Sequence, residues 1–204
     1  MNIHSPITPQ KPTKRDAVLV AALTLFSARG FDGTSVPDVA KQAGVGAGTI
    51  YRYFASKEEL VNVLYKQWKE TLMSRLLTEF DFQAPPRQQF HELWTRLSAF
   101  AADHPKAFSF LELHHHARYL DEESRTLEEN SLRPVVSFVE STRARGITRS
   151  MSAEALIALV WGAFVGLIKA QNLGHLTLTP ELVLQTEQCV WAAIRAPTAN
   201  DESI

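Results

Sequence analysis

The stretch that decides the fold is SVPDVAKQAGVGAGTIYRYF, residues 35–54. Ser35 and Asp38 have the spacing of a capping box, in which a hydroxyl and a carboxylate bond the free backbone N–H groups at a helix start. Gly44 suits the end of that helix, and a second short helix is predicted after Gly46. Two short helices joined by a few residues with a glycine are typical of a helix-turn-helix motif, whose second helix enters the major groove of DNA.

The residues of this stretch divide between an inner and an outer face. The apolar residues predicted to pack the two helices together are Val39, Ala40, Val45, Ile50 and Phe54. On the outer face, small side chains at 46–48 would let the backbone approach base edges, and Thr49 could contact a base. The spacing also fits a small helical bundle in which Tyr51 and Tyr53 only cover the core, so both interpretations stay open at this point.

Composition and charge limit the function classes of this chain of 204 residues. With 21 Lys+Arg and 22 Asp+Glu the net charge is −1, which excludes a polybasic protein that coats nucleic acid. Residues 1–60 carry seven basic and five acidic groups (+2), whereas the remainder carries 14 and 17 (−3). The single cysteine, Cys189, excludes an internal disulfide and is interpreted as an interface residue rather than a redox sensor.

Helical periodicity and capping signals predict an all-α chain of about nine helices. Besides Ser35 and Asp38, capping boxes are predicted at Thr13 with Asp16 and at Ser56 with Glu59. We expect a flexible arm over residues 1–12, a three-helix helix-turn-helix domain over 13–60, and a larger helical ligand-binding and dimerisation domain over 61–204. Pro134 is expected to kink or break a long helix in the second domain. The protein is expected to be soluble and cytoplasmic.

Residues 14–60, KRDAVLVAALTLFSARGFDGTSVPDVAKQAGVGAGTIYRYFASKEEL, resemble the N-terminal domain of TetR-family transcriptional regulators. The motifs that carry the resemblance are Leu25-Phe26, Arg29-Gly30-Phe31, Thr34-Ser35-Val36, Val39-Ala40, Ala43-Gly44-Val45, Gly48-Thr49-Ile50-Tyr51, Tyr53-Phe54 and Lys57-Glu58-Glu59-Leu60. The resemblance implies a homodimer that binds operator DNA and a small-molecule inducer. Gly46 stands where the family usually has Ser, and Tyr53 where His is common; glycine is still an acceptable helix N-cap.

The resemblance and the outer face together give the predicted DNA-binding residues. They are Thr34, Ser35, Gly46, Ala47, Gly48, Thr49, Tyr51, Arg52, Tyr53 and Lys57. Lys57 is expected to bind a phosphate, so that its replacement would lower the salt dependence of binding by about one unit of slope. Since residues 46–48 have no polar side-chain atom, specificity is expected to depend on Thr49, apolar contacts and DNA shape.

A run of fourteen apolar residues, 155–168, is shorter than the roughly 20 that a membrane-spanning helix needs. It is therefore predicted to be a helix buried on all sides. Its two apolar stripes favour a four-helix interface between two subunits, with burial inside one monomer as the alternative. The predicted interface residues are Leu156, Leu159, Gly162, Ala163, Gly166, Leu167, Val183, Thr186 and Val190.

Aromatic residues of the second domain suit a pocket for a hydrophobic or aromatic compound, although ordinary core packing remains the alternative for each. The predicted ligand-binding residues are Phe108, Phe110, His114, Phe138, Trp161 and Phe164. No metal site is predicted, because consecutive helical residues such as His114-His115-His116 point about 100° apart. No cofactor is expected, and no phosphate loop, His-Glu-x-x-His or Gly-x-Ser-x-Gly motif indicates an enzyme.

These observations predict a ligand-responsive, DNA-binding transcriptional regulator. The favoured form is a homodimeric repressor that a small hydrophobic or aromatic inducer releases from a palindromic operator. The alternative is a regulator that senses a metal or a redox change.

Overall fold

The computed structural model describes residues 13–112, 116 and 118–197, so the predicted arm over residues 1–12 lies outside the described residues. Within that part of the chain the fold is all-α, as predicted. Its nine helices are α1 (Lys14–Arg29), α2 (Val36–Ala43), α3 (Ala47–Tyr51), α4 (Lys57–Leu77), α5 (Pro86–Asp103), α6 (Pro105–Glu112), α7 (Glu122–Ala144), α8 (Ala153–Asn172) and α9 (Pro180–Ile194).

Local hydrogen bonds at the helix starts confirm two of the three predicted capping boxes in full. The hydroxyls of Thr13 and Ser35 accept from the backbone N–H groups of Asp16 and Asp38, whose carboxylates bond back to the cap residues. The third box is partial. The hydroxyl of the cap residue Ser56 accepts from the backbone N–H of Glu59, but the carboxylate of Glu59 accepts from the backbone N–H of Ala55 and not from that of Ser56. Each of these helices therefore starts where its own sequence directs it.

The first three helices form a small unit around a buried aromatic and aliphatic core. Phe26 of α1, Ile50 of α3 and Phe54 after α3 are each 1% exposed. Gly44, with φ +66°, ends α2 in the left-handed conformation that glycine adopts without strain. The chain then enters α4, which begins at Lys57 and passes the predicted domain boundary at residue 60 without a break.

The second half of the molecule is a bundle in which α4 packs on α5 and α7, and α8 packs on α7 and α9. Its core includes Trp94, Phe100, Phe108 and Phe164 from α5, α6 and α8. A short antiparallel bridge between Thr148 and Arg195 joins the α7–α8 connection to the end of α9. These contacts enclose the space between α5, α7 and α8.

Pro134 lies inside α7, which continues as one helix from Glu122 to Ala144. The sequence predicts a kink or a break at Pro134; the break is wrong, and the kink stays a prediction. A proline inside a helix removes one backbone hydrogen bond. Residues on both sides of the proline are buried, with Ser124 and Ser131 before it and Thr142 after it.

The apolar run became α8. The alternative that it is buried inside one monomer is wrong, and its burial between two subunits stays a prediction. Only Ala153, Leu156, Phe164 and Ile168 of its 20 residues are buried. By length and composition, with a mean hydropathy of 1.8, α8 is also apolar enough to cross a membrane. One apolar face of this helix is thus left uncovered by its own chain.

A buried ion pair joins α5 to α9. The carboxylate of Glu187 is 1% exposed and receives two hydrogen bonds from Arg87, one of them 2.8 Å long. His91 Nδ1 lies 3.7 Å from the same carboxylate, and the guanidinium of Arg87 also lies 5.5 Å from the ring centre of Trp191. Because Arg87 is 41% exposed, only the acidic partner is fully removed from water.

Because only Glu187 is fully buried, replacing Arg87 and replacing Glu187 should change the free energy of unfolding by different amounts. We expect Arg87→Met to lower the free energy of unfolding by about 3 kcal/mol, since it leaves a buried carboxylate without its partner. Glu187→Gln should cost only about 1 kcal/mol, because water can solvate the remaining guanidinium. Urea unfolding at pH 7 and one fixed protein concentration measures both.

Arg75→Met provides the matched control, because its ion pair with Asp103 is exposed at both ends. It should cost less than about 1 kcal/mol. If Arg87→Met and Glu187→Gln lowered the free energy of unfolding by the same amount, the unpaired buried carboxylate would not be the source of the larger destabilisation.

Candidate nucleic-acid interface and apolar cavity

The outer surface of α3 presents most of the predicted DNA-binding residues to solvent. Ile50 is buried and anchors this short helix, while Tyr51 and Tyr53 are 55% and 41% exposed. The other exposed residues are Gly46, Ala47, Gly48 and Arg52, with Thr49 half-buried. The helix thus combines a small apolar start with two hydroxyl-bearing rings, which suits close approach to a surface lined with hydrogen-bond acceptors.

Gly46 is the N-cap of α3 and provides no side-chain cap. Its carbonyl accepts from the backbone N–H of Thr49 at 2.8 Å. A Cβ built on Gly46 or on Gly48 meets nothing within 4 Å. The surface is therefore open above both glycines.

The structure places Thr34 and Ser35 differently from one another. Ser35 is exposed at the start of α2. Thr34 is only 1% exposed, and its hydroxyl donates to the carbonyl of Gly30 at 2.9 Å. In this conformation the single hydroxyl hydrogen of Thr34 is thus used inside the protein, and a contact of its side chain with DNA stays a prediction.

Lys57 holds the loop between α1 and α2 against the start of α4. Its ammonium donates to the carbonyls of Phe31 at 2.8 Å and Thr34 at 2.9 Å, and lies 3.9 Å from the ring centre of Phe31. An ammonium has three donors, so one remains for a phosphate. Lys57 therefore has a structural task in addition to the predicted one.

An apolar cavity of about 140 Å³ lies between α5, α7 and α8. Its lining residues are Leu76, Phe90, Leu93, Trp94, Leu97, Val135, Phe138, Val139, Thr142, Thr148, Leu156, Ile157, Val160, Trp161 and Ile194. A dry apolar cavity of roughly 150 Å³ is large enough for benzene. The size and lining therefore suit one small aromatic ring or a compact branched alkyl group.

Of the predicted ligand-binding residues, Phe138 and Trp161 line this cavity. His114 lies outside the described residues. Phe108, Phe110 and Phe164 do not line this cavity and are buried in the core. Their contact with a ligand stays a prediction.

Two of these buried rings connect the cavity wall to the helix-turn-helix unit. Phe108 of α6 lies 6.4 Å from the cavity residue Trp161, between ring centres. On the same helix, Phe110 lies 6.2 Å from Phe26 of α1. The short helix α6 thus contacts the cavity wall at one residue and the first helix at another.

A second set of contacts crosses the same junction. Tyr119 stacks on Phe31 with the ring centres 4.2 Å apart, and Arg118 forms an ion pair with Asp32. On α4, the amide of Asn62 donates to the carbonyl of Tyr119 and accepts from the backbone N–H of Asp121, both at 2.8 Å. The segment that precedes α7 is therefore attached both to the α1–α2 loop and to α4.

Charged residues are buried beside this junction. Lys69 lies 2.7 Å from Glu128 and 3.6 Å from Glu112. Burial raises the pKa of Glu112, and Lys69 only partly opposes that shift. Burial also acts on Glu128, but the ammonium of Lys69 and the hydroxyl of Tyr65 hold the pKa of that carboxyl below its usual value.

His116 belongs to this buried group. Its Nε2 donates to the carbonyl of Phe110, which only accepts, and its Nδ1 shares a hydrogen bond of 2.7 Å with the hydroxyl of Tyr119. Burial raises the pKa of Tyr119 to about 12. Within the described ranges no three His, Cys, Asp or Glu side chains are grouped to hold a metal, and His115 lies outside those ranges.

The predicted interface residues divide into three groups. Leu159, Gly162 and Gly166 are exposed on one face of α8, with Ala163 half-buried beside them. Leu167, Val183, Thr186 and Val190 are half-buried. Leu156 is 1% exposed in the single chain and lines the cavity, so its part in an interface stays a prediction without an exposed side chain to support it. Cys189 is exposed in the single chain.

In the α5 wall of the cavity, the sequence drew attention only to Trp94 as one of the aromatic residues that would suit a pocket, and not to Phe90, Leu93 or Leu97. Phe90, Trp94 and Leu97 follow one another at spacings of four and three residues, which is the signal of a buried helical stripe. That spacing indicates burial, but a stripe that lines a cavity has the same pattern as one that packs solidly.

Comparison with known proteins places the chain in a family. A model of the N-terminal domain of bacterial regulatory proteins of the tetR family matches residues 18–64, and a model of tetracyclin repressor-like C-terminal domains matches residues 65–196. The fold and the two matches together define a helix-turn-helix regulator. The chain belongs to the TetR family of transcriptional regulators.

Individual relatives agree with this assignment. The chain is 31% identical over 137 residues to the HTH-type transcriptional repressor KstR2 of Mycobacterium tuberculosis, which covers 66% of this chain and 61% of the relative. It is 33% identical over 91 residues to KstR2 of Mycolicibacterium smegmatis, covering 44% of each. The matches thus span 44% to 61% of the length of these curated relatives. A TetR family transcription regulator from Marinobacter aquaeolei has a similar fold, with a TM-score of 0.78, 22% identity, and coverage of 90% of this chain and 96% of that one.

The double task of Lys57 leads to a testable prediction. Lys57→Met should lower the free energy of unfolding by about 1–2 kcal/mol, because two carbonyls lose a charged donor. It should also lower the salt slope of DNA binding by about 1. Lys41→Met is the control: Lys41 is exposed on α2, so the unfolding free energy should stay within about 0.5 kcal/mol of the parent. An unfolding curve of Lys57→Met that overlaid the parent's would refute the structural task.

Proposed function

We propose that this protein is a homodimeric transcriptional repressor that binds a palindromic operator through α3 and is released by a small apolar ligand. The observation that carries the proposal is that buried aromatic rings of α6 contact both the wall of the apolar cavity, at Trp161, and helix α1 of the helix-turn-helix unit, at Phe26. A metal- or redox-sensing role is left without support by the described residues.

The α3 surface supports DNA recognition through a few contacts rather than a strong positive field. Thr49 can meet a base edge or a thymine methyl group. Tyr51, Tyr53 and Arg52 are exposed next to it and suit phosphate oxygens. The bare surface at Ala47 and its flanking glycines allows close approach of the backbone, so part of the specificity would come from DNA shape.

Dimerisation is supported by the uncovered face of α8. Leu159, Gly162, Ala163 and Gly166 have the i, i+3, i+4, i+7 spacing of one helical stripe, and Leu159 is 50% exposed. Small residues allow the α8 helices of two subunits to approach closely, and Leu184, 44% exposed on α9, extends the apolar surface. A second copy of the chain would cover this face and place two α3 helices on two half-sites.

The cavity supports regulation by a ligand because it is apolar and because its wall contacts α6. A ligand shifts a protein between two states only by the difference in its affinity for them. Filling the space beside Trp161 would favour the arrangement of Phe108 and α6 that accommodates the ligand, and Phe110 would transmit the change to Phe26. The separation of the two α3 helices in the dimer would then differ, and DNA affinity would fall.

The DNA-binding and ligand responses can be tested in one assay. In a mobility shift on the DNA that flanks its own gene, the protein should give a discrete complex. Thr49→Ala with Tyr51→Ala should weaken it at least tenfold, since each contact is worth about 1–3 kcal/mol. Thr126→Ala, at an exposed residue of α7, is the control. An unchanged complex in the double variant would show that α3 does not contact DNA.

The same complex should dissociate in the presence of some members of a panel of small hydrophobic compounds. Val160→Phe places a ring in the cavity and should abolish the response to those compounds. A variant that still responded at parental concentrations would place the ligand elsewhere.

The dimer interface is tested by a charge on the uncovered face. Leu159→Lys should give a monomer at micromolar concentration in sedimentation, because a new dimer would bury an unpaired ammonium. Its DNA affinity should fall with the loss of the second half-site. Val20→Lys is the matched control, since Val20 is 67% exposed on α1, and it should leave the dimer intact. A parent chain that sediments as a monomer would refute the homodimer.

A further inference from the structure

The apolar cavity shares part of its wall, at Phe138 and Thr142, with a second and more polar space. That second space is a groove between the α4–α5 connection and the later part of α7. Its lining residues are Phe82, Gln83, Ala84, Pro85, Pro86, Gln89, Pro134, Ser137, Phe138, Ser141, Thr142 and Arg145. The two spaces share Phe138 and Thr142 and no other lining residue, so these two side chains form the boundary between them.

Two buried hydroxyls stand at that boundary. Thr142 is 1% exposed and donates to the carbonyl of Val139 at 2.9 Å, while its oxygen lies 3.3 Å from the hydroxyl of Thr148, which is 4% exposed. Because the hydroxyl of Thr142 donates its single hydrogen to Val139, the hydroxyl of Thr148 is the donor in the hydrogen bond between the two threonines. Thr148 can instead turn that hydrogen towards a polar atom of a molecule that crosses the boundary.

Arg145 is the only charged residue among those that line the groove. Neighbouring arginines are occupied, since Arg143 pairs with Glu140 and Arg149 donates to the carbonyl of Ala193. In the described part of the chain, the guanidinium of Arg145 and the hydroxyls of Ser137 and Ser141 have no partner. The groove therefore offers a cation and two hydroxyls that are not used to hold the fold together.

The charge around the groove favours a single negative charge. Residues 130–150 carry four arginines against one glutamate, although residues 61–204 carry a net charge of −3. Arg145 is the C-cap of α7, and a helix C-terminus contributes about half a negative charge. A guanidinium in that position can balance a carboxylate, whereas a dianion would be repelled more strongly by the carbonyls at the helix end.

We infer that the ligand of this protein is an anionic amphiphile: a compact aryl or branched alkyl group in the cavity, a short linker past Thr142 and Thr148, and a carboxylate bound by Arg145. The inference rests on the proposed function and adds the chemical class of the ligand. An uncharged hydrocarbon would fill the cavity alone and leave Arg145 without a role in binding.

The test compares carboxylates with neutral molecules of the same size. Trp94 and Trp161 line the cavity, so tryptophan fluorescence of the full-length protein reports occupancy without DNA. The probes are 3-phenylpropionate and 4-phenylbutyrate, each titrated beside its primary amide. We expect the carboxylates to bind at least about tenfold more tightly than the amides, because a charge-assisted hydrogen bond is stronger than a neutral one.

Arg145→Ala should reduce carboxylate affinity to that of the amides and leave amide affinity within twofold. Arg133→Ala is the matched control, because Arg133 is exposed on the same helix but does not line the groove. Both are surface substitutions, so the fold is not at risk. If Arg145→Ala left the ratio of carboxylate to amide affinity unchanged, the inference would be wrong while the cavity remained a ligand site.

The remaining outcomes separate the inference from the proposed function. If no probe changed the fluorescence up to millimolar concentration, both the anionic ligand and the cavity as a ligand site would be refuted. If carboxylates bound through Arg145 but did not release DNA in the mobility shift, the inference would stand and the proposed release of DNA by a ligand would be wrong.

Discussion

The stacking of Phe110 in α6 against Phe26 in α1 is the contact on which the relation between the two halves of the molecule depends. Other attachments of the helix-turn-helix unit to the body lie around this contact: the continuous helix α4, the stacking of Tyr119 on Phe31, the ion pair of Arg118 with Asp32, and hydrogen bonds from Lys106 and Ser109 of α6 to Thr24 and Ser27 of α1. Because a close-packed core does not deform smoothly, a displacement of α6 would be expected to move α1 with it.

Features that depend on residues three or four apart were predictable from the sequence. The capping boxes at Thr13 and Ser35 and the α2–turn–α3 arrangement are local in this sense, and they define the first domain almost alone. The lining of the cavity is not local. Whether Phe108 or Trp94 faces an empty space depends on how α5, α7 and α8 are placed relative to one another, and a helical stripe shows only which side of one helix is buried.

A similar limit applies to the polar residues of the predicted DNA surface. The residue types of Thr34 and Lys57 show that each can donate a hydrogen bond, but not to which acceptor. The structure directs both inward, to the carbonyls of Gly30, Phe31 and Thr34. Such bonds hold the loop between α1 and α2 in one conformation, and that loop in turn supports the start of α2. Prediction by residue type therefore succeeds for Tyr51 and Arg52 only in locating exposed donors.

The uninterrupted course of α4 has a consequence for how such a chain can change. One inserted residue in a helix rotates everything beyond it by about 100° and moves it by about 1.5 Å. Lys57 binds the α1–α2 loop of the first domain, and Lys69 lies beside Glu112 and Glu128 of the second. A single insertion or deletion between these two lysines would rotate one domain relative to the other. The number of residues between these two lysines therefore fixes how the two halves are oriented relative to each other. Residues in this part of α4 can be substituted, but their number has to stay the same.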